Sequence, residues 1–179
     1  ASDNRVNLKW ANSSPTSAGA PYAGIQIDRW SESTDAWITA ANLGVVTSWD
    51  DNDISGNNRY RYRVRSENSA GASDWVYSGY IATTPSAPTL GAVQYLSDTQ
   101  MKVTWKNNAT YFTNSLIERW SKSTNTWRQI ASIASSTTTT YTDTSVSAND
   151  YYRYRVRAYN GLYSGYTTTL YASTTPAPP

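Results

Sequence analysis

The sequence predicts an all-β protein made of two tandem β-sandwiches. Three observations carry this reading. The chain repeats itself with a period near 90 residues, apolar and polar residues alternate over short runs, and no stretch shows a 3.6-residue period. A period of that length is too long for a solenoid unit of about 20–50 residues and suits whole domains in tandem.

The repeat can be followed strand by strand. "DRWSESTDAW" (Asp28 to Trp37) returns as "ERWSKSTNTW" (Glu118 to Trp127), an offset of 90. Trp49 in "VTSWDD" matches Tyr141 in "TTTYTD", and Tyr62 matches Tyr154, both at an offset of 92. "ATTP" ending at Pro85 matches "STTP" ending at Pro176. Leu8 and Trp10 match Val103 and Trp105 at an offset of 95. Small insertions between strands explain the drift. The domains expected are residues 1–85 and 86–179, the second closing on a Pro-rich linker. "TTPSAPT" joins the two, and its prolines favour a stiff, extended connection.

Within each copy, Val6/Leu8/Trp10, Ile25/Ile27, Tyr60/Tyr62/Val64 and Met101/Val103/Trp105 alternate as half-buried strands do. Gly, Asn, Ser and Asp cluster between these runs as turns. In strand order, Trp10 and Trp105 belong to strand B. "IDRW" and "IERW" end strand C, "SWDD" and "TYTD" form strand E, and "YRYRVRSEN" and "YRYRVRAYN" form strand F. With these motifs in this order, each copy resembles a fibronectin type III domain, an immunoglobulin-like sandwich. The resemblance implies a fold and an extracellular, modular setting rather than an activity. It also makes Tyr60 and Tyr152 the tyrosine-corner residues, whose hydroxyls bond back to the preceding loop. The Arg-Gly-Asp tripeptide of integrin-binding members is absent.

Strand F raises the sharpest functional question. Seven of the eleven arginines sit in its two copies. Successive strand residues face opposite ways. Tyr60, Tyr62 and Val64 therefore share one face, and Arg59, Arg61, Arg63 and Arg65 the other. In the second copy Arg153, Arg155 and Arg157 oppose Tyr152, Tyr154 and Val156. The tyrosine face is the core, so the arginines form an outward row that needs compensation. Asp28 with Trp30, Glu118 with Trp120, and Trp75 of strand G are the expected partners. Cross-strand pairs contribute roughly 0.2–1 kcal/mol each, and exposed cation–π stacks about 0.5–1 kcal/mol. Arg61, Arg63, Arg155, Trp30, Trp75 and Trp120 are thus expected to be structural, as are Trp10, Trp105, Tyr60 and Tyr152. The pattern is similar to the Arg–Trp ladder of cytokine-receptor fibronectin domains.

Other chemistries fit poorly. The chain has no cysteine and no histidine, which excludes thiolate chemistry, Ser–His catalysis and the common histidine metal sites. A nucleic-acid platform needs aromatic and basic groups on one face, and here they alternate. Residues 1–86 carry 7 basic and 9 acidic groups, residues 87–179 carry 8 and 4, so neither half is strongly basic. "WDDND" (Trp49 to Asp53) holds three carboxylates, but its counterpart "YTDTS" lacks most of them, so a solvated turn is expected rather than a calcium site. No cofactor, nucleic-acid partner or membrane insertion is expected. Tyr80, Tyr95, Tyr111 and Tyr166, with the strand tryptophans, exceed what two cores need; they either shield the arginine rows or form a contact surface, and for these loop tyrosines both readings stay open.

The function expected is that of a non-catalytic structural or adhesion module. Its setting would be extracellular, on a secreted bacterial surface protein or a bacteriophage virion as a decoration or tail component. Its partners would be other chains of a larger assembly. The alternative is a carbohydrate-binding or spacer module of a secreted polysaccharide-degrading enzyme, with surface aromatics stacking on cell-surface or polymeric glycans. Asn12 and Asn108 begin N-x-S/T triplets, which would matter in a eukaryotic receptor ectodomain. Only nine residues precede Trp10, so the first domain lacks a clear strand A. The chain is therefore expected to be part of a longer array, with another chain covering the edge near Arg5 to Ala11.

Overall fold

A computed structural model of the chain describes residues 3–12, 23–169 and 171–175. The Pro-rich segment expected from residue 176 lies outside the described residues. The chain divides into two compact units, Ala1–Thr83 and Thr84–Pro179. Among the described residues, regular structure is entirely β.

In the first unit, β1 (Val6–Lys9) pairs antiparallel with β4 (Ser48–Asp51). The facing sheet is β2 (Gly24–Ser31) between β3 (Ala36–Leu43) and β5 (Arg59–Asn68). Along the far edge of β5 lie three two-residue strands, β6 (Gly71–Ala72), β7 (Val76–Tyr77) and β8 (Ile81–Ala82). The second unit opens with β9 (Thr89–Ser97), which pairs with β10 (Gln100–Lys106), itself paired with β13 (Thr140–Asp143). Its facing sheet is β11 (Asn114–Ser121) between β12 (Thr126–Ile133) and β14 (Tyr151–Tyr159). Two short strands, β15 (Thr167–Thr168) and β16 (Ala172–Ser173), follow the edge of β14.

Local chemistry repeats with the fold. The β2–β3 and β11–β12 hairpins turn through Asp35 (φ 50°) and Asn125 (φ 51°). The approach to strand F turns through Asn57 and Asn149, each at φ 60°. Short Asn and Asp side chains tolerate this left-handed conformation. Gly91 marks a bulge where β9 crosses β10, because a Cβ there would sit 2.6 Å from the Thr104 hydroxyl.

Each core forms between the two sheets of its unit. Val6, Leu8, Ile25, Ile27, Ile54, Tyr60 and Tyr62 fill the first. Met101, Val103, Trp105, Ile117, Val146, Tyr152, Tyr154 and Val156 fill the second. The tyrosine face of strand F is therefore the buried one. Trp105 lies on β10 and is 4% exposed. Trp10 lies one residue beyond β1 and is only half-buried.

Candidate functional site

The concentrated chemistry of the molecule is the outer face of strand F. All seven of its arginines are engaged there. In the first unit Arg59 pairs with Glu32 at 2.6 Å and lies over Tyr80. Arg61 donates to the Ser78 carbonyl and lies over Tyr77 and Tyr80. Arg63 holds Asp28 at 2.7 Å between Trp37 and Trp75, at 4.6 and 4.3 Å from their ring centres. Arg65 donates to Gln26, pairs with Glu67 and lies over Trp75. Trp30 packs edge-on against Tyr80 and donates its indole N–H to Asp35.

The second unit builds the same ladder with different rings. Arg155 pairs with Glu118 at 2.5 Å and sits between Trp127 and Tyr166. Arg157 lies over Tyr163 and Tyr166, with Glu118 at 3.8 Å. Arg153 lies over Tyr171, and Trp120 meets the same tyrosine edge-on. Tyr166 also donates its hydroxyl to Glu118. Burial alone would raise the Glu118 carboxyl. The Tyr166 hydrogen bond and the two arginines offset it and hold the group below the ordinary carboxylate range.

Strand G supplies six of these ten rings through a register that alternation does not predict. The pairs Glu67–Ala72, Arg63–Tyr77 and Arg59–Ala82 advance four residues along β5 for every five along its partner. One extra residue per step would strand an amide of strand F. A hydroxyl takes the place of the displaced carbonyl each time. The amides of Ser66, Tyr62 and Asn58 donate to the hydroxyls of Ser73, Ser78 and Thr83 at 3.1, 2.9 and 2.9 Å. The amides of those three residues donate back to the carbonyls of Ser66, Tyr62 and Asn58. In the second unit Ser164, Thr169 and Thr174 do the same for Ala158, Tyr154 and Asp150. This longer path of strand G lays Trp75, Tyr77 and Tyr80 on the arginines. Trp75 therefore stands between β6 and β7, not within a continuous strand.

One further expectation is corrected. Asp51 is not in a solvated turn but 1% exposed, held by Arg29 at 2.8 Å and by the Tyr62 hydroxyl at 2.9 Å. Asp143, Arg119 and Tyr154 repeat this triad. Asp50 is taken by Arg5 and Asn7, and Asp53 by Arg29, so the acidic run is occupied by its own cations and amide. Among the expected loop tyrosines, Tyr80 and Tyr166 belong to the ladder, and Tyr95 lies on β9. The tyrosine corners are present. Tyr60 accepts from the Ser55 amide at 2.9 Å, and Tyr152 from the Ser147 amide at 2.8 Å.

These features define a class: paired immunoglobulin-like β-sandwiches, each with a tyrosine corner and a covered strand F. The fold itself is that of tandem fibronectin type III domains. A two-domain fibronectin type III segment of chicken tenascin matches with a TM-score of 0.53 at 12% identity, covering 97% of this chain and 94% of that one. The FN1–FN3 domains of chicken CNTN1 match with a TM-score of 0.51 at 16% identity, covering 98% of this chain and 63% of that one. No family model matches the chain. Among curated proteins, Exoglucanase B of Cellulomonas fimi is 25% identical over 165 residues, which is 87% of this chain. The chain spans 14% of the length of that relative.

Proposed function

We propose that the chain is a non-catalytic structural module, a spacer or adhesion unit of a larger extracellular protein. One observation carries this reading: every strand-F arginine lies against a ring, a carboxylate, an amide or a carbonyl of its own unit. A face so occupied stiffens a sandwich and commits its guanidinium groups to internal contacts. Similarity to a short stretch of a bacterial exoglucanase supports a secreted bacterial polypeptide as the setting, with a virion exterior as the other setting of the same kind. The partners proposed are neighbouring chains or domains of the assembly.

The second reading is a carbohydrate-contacting module. It is favoured by the half-exposed rings of Tyr77, Tyr80, Tyr163 and Tyr171 along the ladder and by the polysaccharide-degrading relative. One experiment separates the two. Soluble β-glucans and a glycan array are titrated against the wild-type chain and against Trp37→Ala and Trp127→Ala. The structural reading expects no saturable binding, with both substitutions lowering the melting temperature. Robust binding that either substitution abolishes would overturn it in favour of the second reading.

A further inference from the structure

One cross-strand pair on the outer face is unlike in the two repeats. In the first unit Glu67 on β5 faces Ala72 on β6. The second unit has a tyrosine at each of these positions, and Tyr159 at the end of β14 bridges to Tyr163. Tyr159 shares strand parity with Arg153, Arg155 and Arg157, so it extends the arginine row. Its ring meets that of Tyr163 with centres 4.8 Å apart and planes tilted by 39°. Among the described residues this is the one ring contact between two tyrosines, and the others join a tryptophan to a tyrosine.

The backbone on both sides holds this pair in place. The Tyr159 carbonyl accepts from the Thr113 amide and hydroxyl at 2.7 and 3.0 Å. The turn between the two rings passes through Gly161 at φ 102°, which glycine adopts without a steric cost. Within it the Asn160 amide donates to the Leu162 carbonyl, the Leu162 amide donates to the Asn160 side chain, and that side chain donates to the Tyr111 carbonyl. Just beyond Tyr163, the Ser164 amide and hydroxyl pair with the Ala158 backbone. The Arg157 guanidinium lies 3.9 Å from the centre of the Tyr163 ring. Tyr163 is 53% exposed and Tyr159 is half-buried, so a fixed ring pair has one member open to a dissolved reagent.

We propose that Tyr159 and Tyr163 form an oxidative modification site, at which a one-electron oxidant of the peroxide-driven haem peroxidase class closes a dityrosine link. Each ring gives up one electron to the oxidant and its phenolic proton to water. Tyr163 reacts first because it is the exposed member. The ring contact passes its electron vacancy to Tyr159, and Tyr163 is then oxidised a second time. The two phenoxyl radicals join through ring carbons ortho to their oxygens, and the ortho hydrogens move to those oxygens as the rings regain aromaticity. The pair loses two hydrogens in all, and one hydrogen peroxide is reduced to two waters. Rings already in contact make the coupling unimolecular, which favours it over links between chains. The product staples strand F to the start of strand G across the turn.

The test oxidises the dilute full chain with a haem peroxidase and limiting hydrogen peroxide. Monomer is isolated by size, and its intact mass, dityrosine fluorescence and proteolytic map are read. A monomer lighter by two hydrogens is expected, with the link mapped to Tyr159 and Tyr163. Tyr159→Phe and Tyr163→Phe keep the ring packing but lack the phenol, and each should lower the monomer fluorescence about tenfold. The same treatment in urea should lower it as well, because the folded turn no longer holds the rings together. Monomer of unchanged mass, with dityrosine only between chains, overturns the proposal. So does a link mapped to other tyrosines, or a phenylalanine variant that keeps the signal. Equal yield in urea overturns it too, since closeness along the chain would then suffice. None of these readouts depends on glycan binding or assembly, so this proposal and the module's proposed role fail separately.

Discussion

Arg29 and Arg119 show how much one inward side chain can decide. Each reaches from one sheet to a carboxylate on the other that is 1% or less exposed, and a tyrosine hydroxyl completes the pair. Removing one partner leaves the others buried and unmatched. Arg119→Met should destabilise the second unit by about 3–5 kcal/mol, because Asp143 then stays charged in the core. Tyr154→Phe removes one hydrogen bond to that carboxylate and should cost about 1.5–3 kcal/mol. Urea denaturation of the two variants checks both values and their order. The signal for these triads was in the sequence. Ile25, Ile27 and Arg29 have the same strand parity, as do Ser115, Ile117 and Arg119. What parity does not give is the destination of Arg29, because Asp51 comes from the opposite sheet. The tyrosine corners were legible because they depend on one residue in one place.

Strand F is legible from alternation alone, since a period of two sorts tyrosine from arginine with no further information. Strand G was not. Its Ser73, Ser78 and Thr83, and Ser164, Thr169 and Thr174, recur every five residues and again 91 residues on. That period belongs to neither a strand nor a helix, and in a chain rich in Ser and Thr it does not stand out. Its meaning becomes visible only when the strand-F amides are followed to the hydroxyls. Thr169→Val keeps the shape of the side chain but leaves the Tyr154 amide without its acceptor. It should cost about 1–3 kcal/mol, and hydrogen exchange at Tyr154 should speed up. Thr169→Ser should restore both. Equal stability of the valine and serine variants would show that the hydroxyl is dispensable.

At the scale of a whole domain, the second unit carries a set of acid-sensitive buried carboxyls. Burial pushes the Glu118, Asp143 and Asp150 carboxyls up, but hydrogen bonds from Tyr166, Ser145, Ser121 and Ser123, with Arg155 and Arg119, hold all three below their ordinary values. A depressed folded value means the folded state binds fewer protons than the unfolded one. The stabilisation is therefore fully present above the unfolded carboxylate range of about 4 and is lost as pH falls through the folded values. Melting of the second unit should hold steady from pH 7 to about 5 and drop steeply below about 4. Asp143→Asn, although less stable throughout, should show a shallower drop. The five-for-four register of strand G has a mechanical consequence as well. The first unit ends at Thr83, and the second begins with the next residue. Load applied at that junction reaches Thr83 first, then Ser78, then Ser73. Each hydroxyl is a notch, and slipping past one releases five residues, roughly 17 Å of contour. Between notches, rings must lift off guanidinium groups before the next can yield. A chain pulled this way gives by steps, and its lifetime under force is set by the slowest notch.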